Sequence, residues 1–223
     1  MGRIVISESI SLDGVVEAPG GIGSFKHKGW AFDADRSEAG GQSRLPLEVQ
    51  RHLLDEALGA EALLQGRITY EELASLWPAR VGELADRLNG MPKYVVSSRL
   101  EDPAWNNSTV LRGDAVEQVR QLKRELDGEI VVAGSIRLAR TLIEHDLVDE
   151  LRLIVYPVVL GAGERLFGDL PDKMALRLVG TKRVGADVAV LTYELVRDFS
   201  RKSESDGGDR VAALNRAGIR EPA

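Results

Sequence analysis

The sequence predicts an α/β protein in which a mixed, mostly parallel sheet of about eight strands carries helices on both faces. Several short segments are continuous apolar runs, which are typical of strands buried on both faces of a sheet. Helical patterns alternate with these strands as far as about residue 155, and this alternation favours parallel pairing. A short turn at residues 182–186 joins the last two strands, so they should form an antiparallel hairpin at one edge of the sheet.

Each strand candidate is a short run rich in apolar residues, such as RIVIS at the N-terminus or EIVVA near the middle of the chain. Turn residues or helical patterns separate the candidates, as expected for elements of one sheet. In chain order they are residues 3–7, 61–65, 93–98, 108–111, 129–133, 150–157, 175–181 and 187–195.

Apolar residues recur at helical spacing in three of the segments between the strands, which indicates amphipathic helices. In the second of these segments, Val116, Val119 and Leu122 form one stripe, and Asp114 precedes the stripe as an N-cap. The three segments are residues 45–60, 114–126 and 135–145.

The length of 223 residues suits one full α/β domain. We assign residues 1–196 to this domain because they contain all the strand candidates. Residues 197–210 are polar and contain glycine and serine, so we interpret them as a linker. Residues 211–219 predict a short helix or a frayed tail, and residues 197–223 together form a polar C-terminal extension.

The composition excludes several classes of function. The net charge is -6 with no basic stripe, which argues against a nucleic-acid partner. The absence of cysteine excludes disulfides, thiolate catalysis and cysteine-ligated zinc, and the three histidines lack metal spacing, so we expect no metal site. No apolar stretch approaches the ~20 residues of a membrane span, and the N-terminus lacks a signal-peptide core. We therefore expect no membrane partner and a cytoplasmic location.

Three turns that follow buried strands have residues suited to binding anions. They are GRITYEEL at residues 66–73, SSR at 97–99 and GSIRLA at 134–139. In an open α/β sheet, ligands bind beyond the carboxyl ends of the strands, and helix N-termini there attract negative charge. Three such turns on one edge suit a ligand with separated phosphates, such as a nicotinamide dinucleotide with a 2′-phosphate. Each turn alone is also consistent with a simple connection between a strand and a helix.

The other glycine-rich segment does not support a nucleotide-binding motif. GAGER at residues 161–165 resembles the start of a G-x-G-x-x-G fingerprint, but Leu166 stands where the third glycine belongs. The Walker A pattern is absent from the sequence. Both observations argue against a classical Rossmann or P-loop protein.

The sequence resembles the dihydrofolate-reductase-like superfamily and, more closely, proteins similar to the C-terminal reductase domain of the bifunctional riboflavin-biosynthesis deaminase/reductase. The resemblance runs from about residue 3 to residue 196. It implies a three-layer fold of the dihydrofolate reductase type, NADPH as hydride donor and frequently a homodimer. A zinc deaminase activity is not expected, since this chain has no cysteine for the deaminase signature. The resemblance is carried by residues 10–21, 63–78, 91–111, 130–167 and 191–195.

The resemblance also implies cofactor contacts on each of the three turns. The third turn usually has two glycines in dihydrofolate reductases, and here the second is replaced by a serine that adds a hydroxyl donor. The implied cofactor-binding residues are Gly66, Arg67 and Thr69 at a phosphate, Ser97, Ser98 and Arg99 near the adenosine 2′-phosphate, and Gly134, Ser135 and Leu138 under the pyrophosphate.

Two carboxylates are candidates for the proton transfer that accompanies a hydride transfer. Asp13 follows the first strand in the segment SLDG. Glu164 lies in GAGER, where riboflavin reductases have a comparable acidic residue. Burial beside an apolar ring would raise the pKa of such a carboxyl group and make it a suitable acid. The alternatives are an Asp-Gly β-turn for Asp13 and an exposed loop acid for Glu164.

We expect the substrate pocket between residues 11–21 and residues 160–167, since both loops leave the sheet beside the third turn. Trp30 is a candidate wall for a flat ring, and Gly161 and Gly163 would line the pocket. In dihydrofolate reductases a carboxylate on the first long helix binds the pterin. In this chain residues 24–44 are not clearly that helix; Asp33 and Asp35 are candidates for such a part, and a solvated loop is the alternative.

The function predicted from the sequence is an oxidoreductase that uses NADPH to reduce a small heterocyclic or ribosylamino-pyrimidine substrate, like 5-amino-6-(5-phosphoribosylamino)uracil reductase. One alternative is a dihydrofolate or pterin reductase. A second is a protein that binds NADPH without turnover, and a third is a dimeric scaffold whose edge strands pair. We expect a C2 homodimer that buries the hairpin at residues 175–195, because unpaired edge strands favour association and the resemblance implies frequent homodimers.

Overall fold

A computed structural model describes residues 1–32, 46–168 and 173–196 of the chain. Eight strands of these described residues form a single mixed sheet. They are β1 (Arg3–Ser11), β2 (Ala60–Gly66), β3 (Lys93–Val96), β4 (Ser108–Leu111), β5 (Glu129–Ala133), β6 (Glu150–Tyr156), β7 (Leu176–Val184) and β8 (Val188–Leu195).

The helices of the described residues fill the connections between parallel strands. They are α1 (Leu47–Gly59), α2 (Arg67–Ala74), α3 (Glu83–Gly90), α4 (Ala115–Glu125) and α5 (Ile136–Glu144), with a 3₁₀ turn at Trp77–Ala79 between α2 and α3.

The sheet has the strand order β4-β3-β2-β5-β1-β6-β8-β7. The first six strands of this order pair in parallel, and β8 pairs antiparallel with both β6 and β7. The predicted mixed sheet with a C-terminal antiparallel hairpin is therefore confirmed. Because β5, β2 and β3 are neighbours, their carboxyl ends bring the three predicted turns to one edge of the sheet.

Helices cover both faces of the sheet, as predicted. On one face, α4 and α5 pack on β1 through Val119, Leu142 and Ile6 in the largest core cluster. On the other face, Val49 of α1 packs against Ile154, and α3 packs beside Val5. Alternate residues of β1 thus enter different clusters, which follows from the two-residue period of a strand.

The boundaries of the helices follow their local sequence signals. The Oδ1 atom of Asp114 accepts a hydrogen bond of 2.9 Å from the backbone N–H of Glu117, which confirms the predicted N-cap of α4. Helix α3 was missing from the sequence prediction, because its eight residues are too short to show a clear apolar stripe. Strand β1 was predicted to end at residue 7, but it continues to Ser11.

Charged side chains at the amino ends of the strands are paired. Arg152 donates to Glu150 Oε1 at 2.6 Å, to Glu129 Oε1 at 2.8 Å and to Glu56 Oε1 at 3.3 Å. Lys93 is fully buried, and its Nζ atom donates to three backbone carbonyls and lies 4.5 Å from the centre of the Trp105 ring. The donor groups of Arg152 and Lys93 therefore all have hydrogen-bond partners, as buried polar groups normally do.

Candidate functional site

The first and third turns are joined directly to each other. The backbone N–H of Gly66 donates to Ser135 Oγ at 2.8 Å, which ties the end of β2 to the start of α5. Gly134 has a φ of +70°, and a Cβ atom there would lie 2.9 Å from Thr69 Cγ2. Ser135 also has a positive φ of 65°. The two turns therefore need a glycine at position 134 and form one continuous backbone surface.

The N-terminus of α5 lies on this surface. Ser135 is the N-cap residue, but its side chain forms no capping hydrogen bond because its hydroxyl binds Gly66 instead. The first amides of a helix have no acceptor within the helix and carry the positive end of its dipole. Leu138 packs in the core below, so its side chain supports the helix from within.

The second turn is organised by a serine. Ser97 Oγ accepts hydrogen bonds from the backbone N–H groups of Arg99 at 3.0 Å and Leu100 at 2.9 Å. Ser98 and Arg99 are exposed at this turn. Ser97 therefore shapes the turn, whereas the side chains of Ser98 and Arg99 are accessible to a ligand.

Arg67 begins α2 beside the first turn. Its Nη1 atom lies 2.6 Å from Glu71 Oε2 one helical turn away. This ion pair is partly exposed and holds the guanidinium on the surface of α2. An anion at the turn would compete with Glu71 for Arg67.

Asp13 connects two loops. Its carboxylate accepts hydrogen bonds from the backbone N–H groups of Leu160 at 3.0 Å and Gly161 at 2.9 Å, and from Ser11 Oγ at 2.8 Å. The hydrogen bond from Leu160, followed by that from Ser11, lowers the pKa of Asp13 to about 2. The raised pKa expected from the sequence is therefore wrong for Asp13, because loop amides rather than an apolar ring surround it.

The two loops expected to enclose the substrate are bonded to each other. The backbone N–H of Val16 donates to Glu164 O at 2.9 Å, and the backbone N–H of Glu164 donates to Glu17 Oε2 at 3.0 Å. Gly163 has a φ of +117°, and a Cβ atom there would lie 2.6 Å from Val15 Cγ1. Gly163 thus allows a close approach between residues 11–21 and residues 160–167, whereas Gly161 contributes its N–H to Asp13.

The Glu164 side chain lies at the surface of this joined pair, with 45 % of its area exposed. Its Oε2 atom is 3.8 Å from Arg140 Nη1 of α5. Arg140 also donates to the backbone carbonyls of Arg165 and Leu166. The structure therefore connects Glu164 to the helix that begins at the third turn.

Trp30 is part of the core. Its ring is buried, lies edge-on to Tyr156 with the centroids 5.5 Å apart, and donates from Nε1 to Glu17 O at 2.8 Å. In this conformation Trp30 supports the loop at residues 11–21 from below and does not present a free face to a flat ring.

Sequence reasoning missed a buried carboxyl group beside the third turn. Glu8 of β1 is 3 % exposed, and burial raises its pKa to about 8. Gln65, at the carboxyl end of β2, is also fully buried, and neither polar atom of its side chain has a hydrogen-bond partner among the described residues. The available signal was a glutamate within the alternating run VISESIS, which continues β1 past the apolar residues.

Other sequence predictions concern metals, membranes and residues that the structure does not describe. Within the described ranges, no group of three or more potential ligands is placed to hold a metal ion. No helix within those ranges has the length and apolar character needed to cross a membrane. Asp33, Asp35 and the polar extension at residues 197–223 lie outside the described residues.

The chain is similar to a family of known proteins over almost all of its sheet. The sequence pattern of the RibD C-terminal domain matches residues 3–190. Two relatives come from Bacillus subtilis strain 168, and both are uncharacterised. YyaP is 26 % identical over 207 residues, covering 86 % of this chain and 94 % of YyaP. YwjB is 32 % identical over 128 residues, covering 57 % of this chain and 70 % of YwjB.

The fold also has a solved counterpart. A crystal structure provisionally named as that of a riboflavin biosynthesis protein, from Shewanella sp. PV-4, superposes with a TM-score of 0.63 and 18 % identity. The match covers 87 % of this chain and 99 % of the Shewanella chain. At this identity the likeness supports the fold alone.

Proposed function

Because the chain belongs to the RibD C-terminal domain family, we propose that it is an NADPH-dependent reductase of a small heterocyclic or ribosylamino-pyrimidine substrate. The observation that carries this proposal is the meeting of three anion-suited turns at the carboxyl ends of β3, β2 and β5. Ligands of open α/β sheets bind at such an edge. The hydrogen bond between Gly66 and Ser135 supports the proposal further, because it holds the first and third turns side by side, where their backbone amides would bind a pyrophosphate.

The residues at these turns fit the phosphates of a dinucleotide. Arg99 and Ser98 would bind the 2′-phosphate, since a guanidinium pairs with phosphate oxygens in a bidentate manner. Arg67 and Thr69 would bind a phosphate at the first turn, and the amides of the third turn would bind the pyrophosphate. When bound, the dinucleotide would supply a hydride to the substrate.

The roles of the two carboxylates differ in this proposal. Asp13 is a positioning residue, because its low pKa keeps it ionised and its oxygens hold the amides of Leu160 and Gly161. Glu164 is the proposed proton donor, since its side chain lies at the surface of the joined loops beside α5. We expect Glu164→Gln to leave the affinity for NADPH intact and to reduce turnover.

Thermal unfolding and an assay of NADPH oxidation test the proposal together. We expect NADPH to raise the melting temperature more than NADH does, because a ligand that binds the native state more tightly stabilises it more at the same concentration. Oxidation of NADPH in the presence of a ribosylamino-pyrimidine or pterin would identify the substrate class. Equal shifts with both dinucleotides would contradict the assignment of the second turn to the 2′-phosphate.

A second candidate is a protein that binds NADPH without turnover. One observation favours it: the low pKa of Asp13 removes one of the two candidate proton donors and leaves Glu164 as the other. A clear thermal shift with NADPH, combined with no oxidation across pterins, flavin precursors and simple carbonyls, would select this candidate over the reductase.

The assembly is also a proposal. Strand β7 is an edge strand, and its residues Leu178 and Val179 have about half of their surface exposed. An exposed apolar edge strand favours pairing with another chain. We propose a homodimer that buries this hairpin, and light scattering at micromolar concentration tests it, with a monomer as the contradicting result.

A further inference from the structure

Glu8 lies inside the protein beside the third turn of the proposed dinucleotide site. It pairs in register with Leu153 of β6 and lies one residue beyond the end of the pairing between β1 and β5. The backbone N–H of Gly134 lies beside its carboxyl group and, as a hydrogen-bond donor, lowers its pKa. Its Oε1 atom is buried and has no hydrogen-bond partner among the described residues. One oxygen of this carboxyl group, on a residue that is 3 % exposed, thus has no partner beside the third turn.

The surroundings of Glu8 favour the neutral acid. Burial is the largest influence and raises its pKa to about 8, and the negative charge of Glu56 on α1 acts in the same direction. The amide of Gly134 opposes both, but more weakly than burial does. The other neighbours offer no counter-cation within the described residues, since Leu153 lies opposite on β6, Ala133 ends β5, and Leu138 and Ala139 are the buried residues that α5 presents near its start.

The cation beside Glu56 is already paired with carboxylates. Arg152 of β6 is bonded to Glu56, Glu129 and Glu150 at the amino end of the sheet. At neutral pH, Glu8 is therefore a hydrogen-bond donor through its hydroxyl group and an acceptor towards Gly134. A buried O–H without an acceptor is unfavourable, so a function for this donor is expected.

We propose that Glu8 is a ligand-binding residue which, held as a neutral acid, donates a hydrogen bond to a phosphate group bound at the Gly134–Ser135 turn. This inference rests on the proposed function, because the pyrophosphate of the dinucleotide is the phosphate group concerned. Its consequence is that the anion and a proton bind together. An ionised Glu8 would repel the phosphate and would lack the proton to donate, so affinity depends on the protonation of this one side chain.

The dissociation constant for NADPH, measured between about pH 6 and about pH 9.5, tests the proposal. In the wild type we expect it to be constant at low pH and to rise up to about tenfold per pH unit above the pKa of Glu8, as for linkage to a single proton. Glu8→Gln keeps a donor and an acceptor without titrating, so its dissociation constant should be constant over this range. Glu144→Gln is the matched control, because it removes a charge from an exposed position of α5.

Other groups that titrate in this range do not affect the difference between the pH profiles of the wild type and Glu8→Gln. Burial lowers the pKa of Lys93 to about 8, but Lys93 is present in the wild type and in both variants. The difference between the wild type and Glu8→Gln therefore isolates Glu8. Calorimetry in two buffers of different ionisation enthalpy gives a second readout, in which the wild type at about pH 9 should take up a proton on binding NADPH.

The outcomes distinguish this inference from the proposed function. If Glu8→Gln and the wild type bind NADPH with the same pH profile, Glu8 is not a ligand-binding residue, and the reductase proposal stands. If neither protein binds NADPH at any pH, both proposals are wrong. If Glu8→Gln does not fold, the wild type decides: proton uptake together with an infrared band of a protonated carboxyl that persists in the complex at about pH 9 supports the inference, and the absence of either overturns it.

Discussion

The two ends of the sheet differ in whether their buried charged and amide side chains have partners. At the amino end, Arg152 satisfies three carboxylates, and Lys93 donates to three carbonyls. At the carboxyl end, Glu8 Oε1 and both side-chain polar atoms of Gln65 have no partner among the described residues. Unsatisfied buried groups are rare in native proteins and need an explanation.

The comparison indicates that the amino end of the sheet serves mainly stability, and the carboxyl end mainly ligand binding. Ion pairs at the amino end connect neighbouring strands, and removal of Arg152 would leave the buried carboxylate of Glu56 without a cation. At the carboxyl end the backbone is strained, with consecutive positive φ angles at Gly134 and Ser135, and polar groups remain unpaired. Strain and unpaired groups persist at ligand sites, where a ligand supplies what the protein lacks. We therefore expect substitutions at the amino end to affect mainly stability, and those at the carboxyl end to affect mainly binding.

The largest effect should come from Arg152→Ala at the amino end. The side chains of Glu56 and Glu150 are almost fully buried; Glu56 would lose its cation, and Glu150 would keep only Arg3, at 3.1 Å. We expect the free energy of unfolding to fall by about 3–5 kcal/mol, as for other broken buried ion pairs. Arg120→Ala is the control, because its pair with Glu117 is exposed and should contribute less than about 1 kcal/mol. Equal losses in chemical denaturation would contradict the proposed difference between buried and exposed pairs.

Glu8→Gln should raise the free energy of unfolding, whereas Arg152→Ala lowers it, and the size of this increase should depend on pH. The pKa of Glu8 rises from an ordinary value of 4.5 to about 8 on folding. Between these values the folded protein keeps a proton that the unfolded chain releases, so the stability of the wild type falls as the pH increases. Glutamine does not titrate. The free energy of unfolding of Glu8→Gln relative to the wild type should therefore increase from about pH 5 to about pH 8, by an amount on the order of a few kcal/mol, and its melting temperature should rise with it.

A constant difference in melting temperature over this pH range would show that Glu8 does not change its pKa on folding. Glu144→Gln serves again as the control, because an exposed carboxylate on α5 should give no such trend.

The sequence contained much of the fold but less of the site, for a physical reason. Apolar runs and their spacing are local properties, so the strands and the order of strands and helices could be read from them. The tail of β1 could not, because the residues of SESIS are mostly polar and become buried only in the folded protein, where β6 pairs with them. The pKa of Asp13 depends on amides about 147 residues away in the chain, and no local pattern shows that contact.

Gly134→Ala should produce an intermediate effect and act on both properties. A Cβ atom would lie 2.9 Å from Thr69 Cγ2, and the φ of +70° is unfavourable for alanine. We expect a loss of about 1–3 kcal/mol in the free energy of unfolding and weaker binding of NADPH. Gly113→Ala is the matched control, because Gly113 has a φ of +99° but no atom of the described residues lies within 4 Å of the position that its Cβ atom would take.

The control should lose stability through backbone strain but keep its affinity for NADPH. If both variants lose affinity for NADPH equally, the result contradicts the binding of NADPH at the third turn.

The smallest expected effect is that of Arg99→Ala, and it concerns specificity alone. Arg99 is exposed and donates to Ser97 through its backbone, so truncation of its side chain leaves the turn intact. We expect unchanged stability and a loss of about tenfold in affinity for NADPH, corresponding to ~1.4 kcal/mol, with little change for NADH. Arg67→Ala should weaken both dinucleotides, because it lies at a phosphate they share. Titration of both variants with both dinucleotides checks this. If Arg99→Ala loses equal affinity for NADPH and NADH, the assignment of the 2′-phosphate to the second turn is wrong.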